Sequence, residues 1–267
     1  MTVSANILVR NELVNISKLI KNLLDACVDE LVFLDGGSTD GSWELLEKWS
    51  IKEPRITLLR WPQKEGSEFK KSFNEVSRRN LMLDASTSDF ILYIDADERV
   101  SLNLKDLIDP GVHCIAASRT SFWNGYVREN GPSDRLWRPD ISFRIFKRSP
   151  NLRFRTNDKN GLHNFLCWKG VKIPLGVNKG KIYVFLSNIV RTLLGVKANI
   201  LEAPPRIFHY HYFDLSKKKV NDLRSAEFNW SISIDAPPSL RKKESKVYVT
   251  TIGNDIEAIE MTSNYWI

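Results

Sequence analysis

The sequence predicts an α/β protein built on a mainly parallel sheet flanked by helices, with a C-terminal extension. Three observations predict it. Short apolar runs alternate with helical periodicity through the first hundred residues, the runs are apolar on both faces, and they end on polar or acidic residues. Strands of that kind belong to a sheet covered on both sides, the usual setting of parallel strands. In such sheets ligands bind beyond the carboxyl ends of the strands.

Residues 6–10 read as the first buried strand. Leu13, Ile16, Leu19, Ile20, Leu23, Leu24 and Cys27 then recur at helical spacing. Residues 31–34 are a second apolar strand ending at Asp35, and Gly36-Gly37-Ser38-Thr39-Asp40-Gly41 is a turn that starts a helix over 42–49. Residues 56–59 are a third strand. Phe69, Phe73, Val76 and Leu81 or Leu83 mark the next helix, and residues 90–94 a fourth strand ending at Asp95. Further strands are expected over 112–117, 142–146 and 207–213, with a long loop over 121–139. The expected organisation is a main domain over 1–215, with residues 216–267 as a helical or mixed extension packed on it.

The composition fits one large globular domain: 267 residues, 42% hydrophobic and 27% charged, which excludes a disordered chain, a collagen or a disulfide scaffold. Cys27, Cys114 and Cys167 form no CxxC and read as reduced thiols in the cytoplasm. No signal-peptide pattern precedes the first strand. Residues 182–196 are interrupted by Asn188 and Arg191, too short and polar to span a bilayer, which leaves a surface-lying amphipathic segment and a peripheral membrane contact.

Charge is unevenly spread. Residues 1–110 hold 14 basic and 19 acidic side chains, a net −5, and residues 111–267 hold 25 and 13, a net +12. The front half is expected to use carboxylates. The back half, densest in charge at Arg144, Lys147, Arg148, Arg153 and Arg155, is expected to meet an anionic partner, with a solvated basic face as the alternative.

Asp95-Ala96-Asp97, followed by Glu98, comes directly after an apolar strand. Two carboxylates that close repel each other unless a cation shares them. Mg²⁺ and Mn²⁺ take oxygen ligands and bridge to substrate phosphates, so the pattern reads as a metal–diphosphate site or else as an acidic surface turn. His209 and His211 fall on one face if their segment is extended. One of them then offers a nitrogen ligand suited to Mn²⁺, or both are incidental to an aromatic strand. Asp35, left exposed by its turn, is expected to accept a base or ribose hydrogen bond. Arg78-Arg79-Asn80 offers an arginine to a phosphate or base edge, the other arginine being exposed.

Together Arg10-Asn11-Glu12, residues 32–42, Arg79-Asn80 and residues 94–99 resemble the family-two glycosyltransferases of the GT-A fold, in order and spacing, over roughly residues 5–100. Arg138-Pro139-Asp140, residues 144–148, Gly161-Leu162-His163 and residues 209–212 look most like the branch containing lipopolysaccharide-core glucosyltransferases. The resemblance implies a GT-A-type Rossmann-like sheet and a nucleotide-sugar donor, UDP-linked. It implies nucleoside contacts from Arg10, Glu12, Asp35 and Arg79, a divalent ion at Asp97 with Asp95 nearby, and inversion by direct displacement. It puts His209 in the position of that branch's C-terminal histidine, with His211 an extra one, and implies a saccharide or lipid-linked acceptor. One departure matters. The branch usually carries a glutamate where Asn164 stands here, and an amide cannot act as a general base. Asp140 is the expected replacement, ahead of Asp158 and Asp134, or else it pairs with Arg138 or Arg144. Trp123, Trp137 and Trp168 are candidates for stacking on a sugar or for the core.

Two other classes remain. A nucleotidyltransferase on a similar sheet usually opens with a glycine-rich loop and lysine, where this chain has Arg10-Asn11-Glu12. A non-catalytic nucleic-acid or membrane module would use only the basic half; nucleic acid is not expected as a partner of the glycosyltransferase reading.

Overall fold

The computed structural model describes residues 1–64, 74–102, 105–123, 126–127, 140–157, 164–176, 181–201, 207–211, 245–252 and 255–262. Phe69, Phe73, Asp134, Trp137, Arg138, Asp158, residues 161–163 and residues 212–244 lie outside them.

The described part of the first hundred residues alternates strand and helix as the periodicity predicts, with the helix expected around Val76 beginning at Glu75. β1 (Val3–Val9) leads to α1 (Leu13–Asp25), β2 (Glu30–Asp35), α2 (Ser42–Lys52), β3 (Ile56–Arg60), α3 (Glu75–Ala85) and β4 (Phe90–Asp95). α1 buries Ile16, Leu19, Ile20 and Leu23 against the sheet, worth about 1.5–3 kcal/mol for each fully buried side chain. α2 packs Leu46 into the same layer, while α3 sets Met82 and Leu83 against the opposite face. The sheet is therefore covered on both sides.

β5 (Glu98–Val100), β6 (Cys114–Trp123), β7 (Tyr126–Val127), β8 (Asp140–Lys147), β12 (Ala198–Leu201) and β13 (Ile207–His211) extend the sheet. Its order is β3-β2-β1-β4-β8-β6-β13-β5, with β7 and β12 also pairing β6. β3, β2, β1 and β4 are parallel. β8 is antiparallel to both β4 and β6, and β13 runs parallel to β6 but antiparallel to β5. The mainly parallel α/β sheet is as expected, with its mixed portion beyond β4.

β9 (Leu152–Thr156), β10 (Asn164–Trp168) and β11 (Val171–Lys172) form a small antiparallel sheet that the sequence reading missed. α4 (Lys181–Leu193) follows. β14 (Ser245–Ile252) and β15 (Asp255–Thr262) pair as a two-stranded sheet within the expected extension. All three cysteines are free.

Candidate active site

Asp35 and Asp95 end β2 and β4, the strands on either side of β1, in register with Val9 and Leu8. Topology thus brings both acids to one edge. Asp35, however, is fully buried. Its carboxylate accepts the Gly37 N–H at 2.8 Å, the Ser38 N–H at 3.1 Å and the Ser38 hydroxyl at 2.5 Å, and Arg60 Nε lies 3.6 Å away. Gly37 suits that turn, with φ at +89° and Pro62 Cα only 3.2 Å from where a Cβ would stand. The expected exposed Asp35 is therefore corrected: the carboxylate closes its own turn, because the N–H groups just after it point back at it. Asp35→Asn is expected to destabilise the fold by about 1–3 kcal/mol, since an amide nitrogen would face a donor. Urea unfolding measures this. Wild-type stability combined with lost nucleotide affinity would return Asp35 to a ligand contact.

The neighbouring turn is tied to the first. Asn11, at φ +58°, donates its N–H to Ser38 Oγ at 2.9 Å and accepts the Thr39 N–H at 2.8 Å. Asp40 accepts from the Ser42 hydroxyl at 2.6 Å and from the N–H groups of Ser42 and Leu13 at 3.0 and 3.1 Å. Partial burial opposes its ionised form, but these bonds outweigh burial and hold its carboxyl below the ordinary range.

A cavity of about 530 Å³ opens at the carboxyl ends of β1, β2 and β4, lined by Arg10, Glu12, Glu75, Arg78, Arg79, Tyr93, Asp95 and Asp97 among others. Arg10 donates to Gln63 Oε1 at 2.8 Å, and Glu12 accepts from Asn15 Nδ2 at 2.8 Å.

α3 presents Arg78 and Arg79. Both are buried, against the expectation that one would be exposed. Arg78 donates to the Trp61 carbonyl and lies 5.1 Å from the Trp61 ring centroid. Burial, with Arg10 nearby, pulls its pKa down to about 10, Asp35 acting the other way. Arg79 lies 3.5 Å from the Tyr93 ring centroid, donates from Nε to Glu75 Oε1 at 2.5 Å, and holds Nη2 3.9 Å from Asp95 Oδ1. Burial depresses its pKa, with Glu75 and Asp95 opposing. Its Nη1 is buried with no hydrogen-bond partner among the described residues. A buried guanidinium donor in that state suits an anion in the cavity.

The acidic turn is held from behind. Glu98 is fully buried and accepts from Arg144 at 3.0 and 3.1 Å, from Arg119 at 3.0 Å and from the Asp95 N–H at 3.0 Å. Arg99 donates to the Ala96 carbonyl at 3.2 Å. Asn22 of α1 exchanges two hydrogen bonds with the backbone of Val100. Glu98 thus fixes the turn, while Asp95 and Asp97 line the cavity. Asp95 accepts the Tyr93 hydroxyl at 2.8 Å and its side chain is 38% exposed. The donor set of these two acids is oxygen only, which fits a hard divalent ion.

His209 pairs in register with Glu98, one residue from Asp97, and His211 stands two residues further along β13. Asp140 opens β8, and because β8 runs antiparallel to β4 that end points toward the carboxyl end of β4.

The reading missed Glu75. Its Oε1 accepts from Arg79 and, at 2.8 Å, from Asn164 Nδ2. An asparagine at 164 donates to this carboxylate where a glutamate would repel it. The only available signal was a glutamate four residues before Arg79.

The basic cluster does not gather at the cavity. Lys147 pairs with Phe90, at the amino end of β4, about 16 Å of strand from Asp95. Arg148 donates to the Ser88 carbonyl at 2.9 Å, Arg153 pairs with Asp84 at 2.8 Å, and Arg144 is spent on Glu98. An acceptor role for Lys147 and Arg148 is therefore withdrawn. Trp168 is half-buried, packs against the core and meets the His113 ring edge-on at 5.2 Å; the Trp123 side chain lies outside the described residues.

Residues 4–169 match the family model "Glycosyl transferase family 2", a span of more than half the chain that holds all but the first residue of β1, the strands through β10 and every lining residue named above. The chain belongs to glycosyl transferase family 2. Its fold is also similar to solved structures. A crystal structure of S. aureus TarS is 15% identical, with 79% of this chain and 37% of that one covered at a TM-score of 0.48. Mannosyltransferase PcManGT from Pyrobaculum calidifontis, in complex with GDP-Man and Mn²⁺, is 18% identical, with 78% and 56% covered at 0.43. GalNAc-T7 with UDP, GalNAc and Mn²⁺ is 13% identical, with 80% and 44% covered at 0.45. This family-2 chain thus spans less than two thirds of those proteins.

Proposed function

We propose that the chain transfers a sugar from a nucleotide-sugar, UDP-linked, to a hydroxyl of a saccharide or lipid-linked acceptor. One observation carries the reading: in a family-2 chain, the strand-end acids Asp95 and Asp97 and the buried arginines Arg78 and Arg79 line the same cavity. A diphosphate needs both kinds of group, the arginines for its oxygens and the acids for a divalent cation that would offset its charge. Arg10, Glu12 and the turn closed by Asp35 take the nucleoside end. Asp97 and Asp95, with His209 or His211, would hold Mn²⁺ or Mg²⁺. When bound, the ion supplies positive charge against the diphosphate that departs. Arg79 donates to the same group. Asp140 takes the proton of the acceptor hydroxyl, which attacks the anomeric carbon from the opposite side and inverts it. Glu75 orients Arg79 and Asn164. The motifs near Asp140, His163 and His209 favour the lipopolysaccharide-core-like branch, hence glycan synthesis for the cell envelope at the cytoplasmic side.

The test is a donor screen that follows nucleoside diphosphate release with Mn²⁺, with Mg²⁺ and with chelator. UDP-sugars are expected to turn over, by at least about tenfold more with metal than with chelator. Salt-dependent DNA affinity with no sugar-nucleotide binding or release would replace the proposal with a nucleic-acid module.

A further inference from the structure

α4 is amphipathic the wrong way round for a helix of a globular domain. Its two buried residues are Ser187 and Arg191. Arg191 donates to the Pro174 and Leu175 carbonyls at 2.8 and 2.6 Å. Ser187 seats against Gly176, whose φ is +80° and where a Cβ would come within 2.8 Å of Ser187 Cβ. The polar stripe is the docking face. Ile182, Phe185, Leu186, Ile189 and Leu193 follow the i, i+3, i+4, i+7, i+11 spacing of a single stripe, and that stripe faces outward: 77%, 64%, 52%, 39% and 82% exposed.

We infer that this stripe seats on the surface of an anionic lipid bilayer. Charge decides the occupant. Residues 159–201, which include the helix and its flanks, hold seven basic and no acidic side chains. Lys169, Lys172, Lys181 and Lys197 are exposed. An apolar stripe set within cationic flanks supplies the two signals that surface attachment to anionic lipid requires. Length decides the mode. Thirteen residues make about 20 Å of helix against about 30 Å of hydrocarbon, and no helix among the described residues is long and apolar enough to cross. The helix therefore lies in the interface.

The position bears on chemistry, and this step rests on the glycosyltransferase reading. A second cavity, of about 350 Å³, reaches from Tyr93 and Asn164 to Tyr183 of α4. Tyr93 also lines the first cavity. An acceptor held in the second cavity would approach the donor from the membrane side.

The test uses the full chain, without nucleotide, and vesicles of phosphatidylcholine alone or mixed equally with phosphatidylglycerol. The wild type is expected to sediment with the anionic vesicles at low salt, and F185E/L193E to bind about tenfold or more weakly. A single F185W variant, at a site already exposed, should show a blue-shifted emission on the same vesicles, and so guards against misfolding of the double variant. Failure of the wild type to bind, equal binding by the double variant, or no emission shift overturns the inference. A dimer in light scattering without vesicles, lost in F185E/L193E, would overturn it in favour of a second copy. Donor turnover in solution by F185E/L193E should match the wild type. Vesicle binding without any donor turnover would sink the proposed function and leave the membrane contact standing.

Discussion

Asp97→Ala is expected to abolish sugar transfer, with a fall in rate of about a thousandfold or more, the scale on which a group that balances transition-state charge acts. Asp97 is 9% exposed on the wall of the first cavity, at the turn from β4 to β5. It stands between Asp95, whose carboxylate is near Arg79, and Glu98, whose carboxylate is committed to Arg144 and Arg119. Removing it leaves the cation without charge balance against the diphosphate. Calorimetry with Mn²⁺ should show UDP affinity greatly weakened, and affinity without metal little changed. The melting temperature serves as the control for folding. Unchanged UDP affinity in the presence of Mn²⁺ would remove Asp97 from the site.

Glu98→Ala is expected to cost about 3–5 kcal/mol of stability, the range for breaking a buried ion pair from one side. The carboxylate has no exposure, and the Arg144 side chain that grips it with two bonds is 5% exposed. Its loss strands that guanidinium in the core and removes one ion-pair partner of Arg119 and the acceptor of the Asp95 N–H. Because Glu98 also fixes the acidic turn, activity should fall along with stability. Urea denaturation of Glu98→Ala and Arg144→Met, singly and combined, separates the terms. The double variant should recover part of the loss, since a pair removed together leaves fewer unpaired charges. A single-variant cost below about 1 kcal/mol would mean that water already solvates the cluster.

Much of the site was legible because its signals are local. An apolar run followed by Asp35 or by Asp95-Ala96-Asp97 identifies a strand and its end within a few residues, and parallel pairing on either side of β1 brings those ends together. Glu75 was missed for the opposite reason. Its partner Asn164 lies 89 residues away and in a small sheet that no periodicity announced. The same holds for Asp35, whose type and position were right but whose exposure was decided by the turn folding back on it. Lys147 and Arg148 illustrate the limit of charge counting: they crowd the sequence, yet strand direction carries them to the far end of β4.

The sequence by itself determined the strand–helix alternation, the strand-end acids and the α4 stripe, since each depends on the period of side chains along one element. Tertiary structure alone decided which carboxylates face the cavity, which one is spent on arginines, and which way α4 turns. Those outcomes depend on pairing across long separations. The desolvation of a charge or an apolar face there is fixed by what packs against it, and no window along the chain contains that partner.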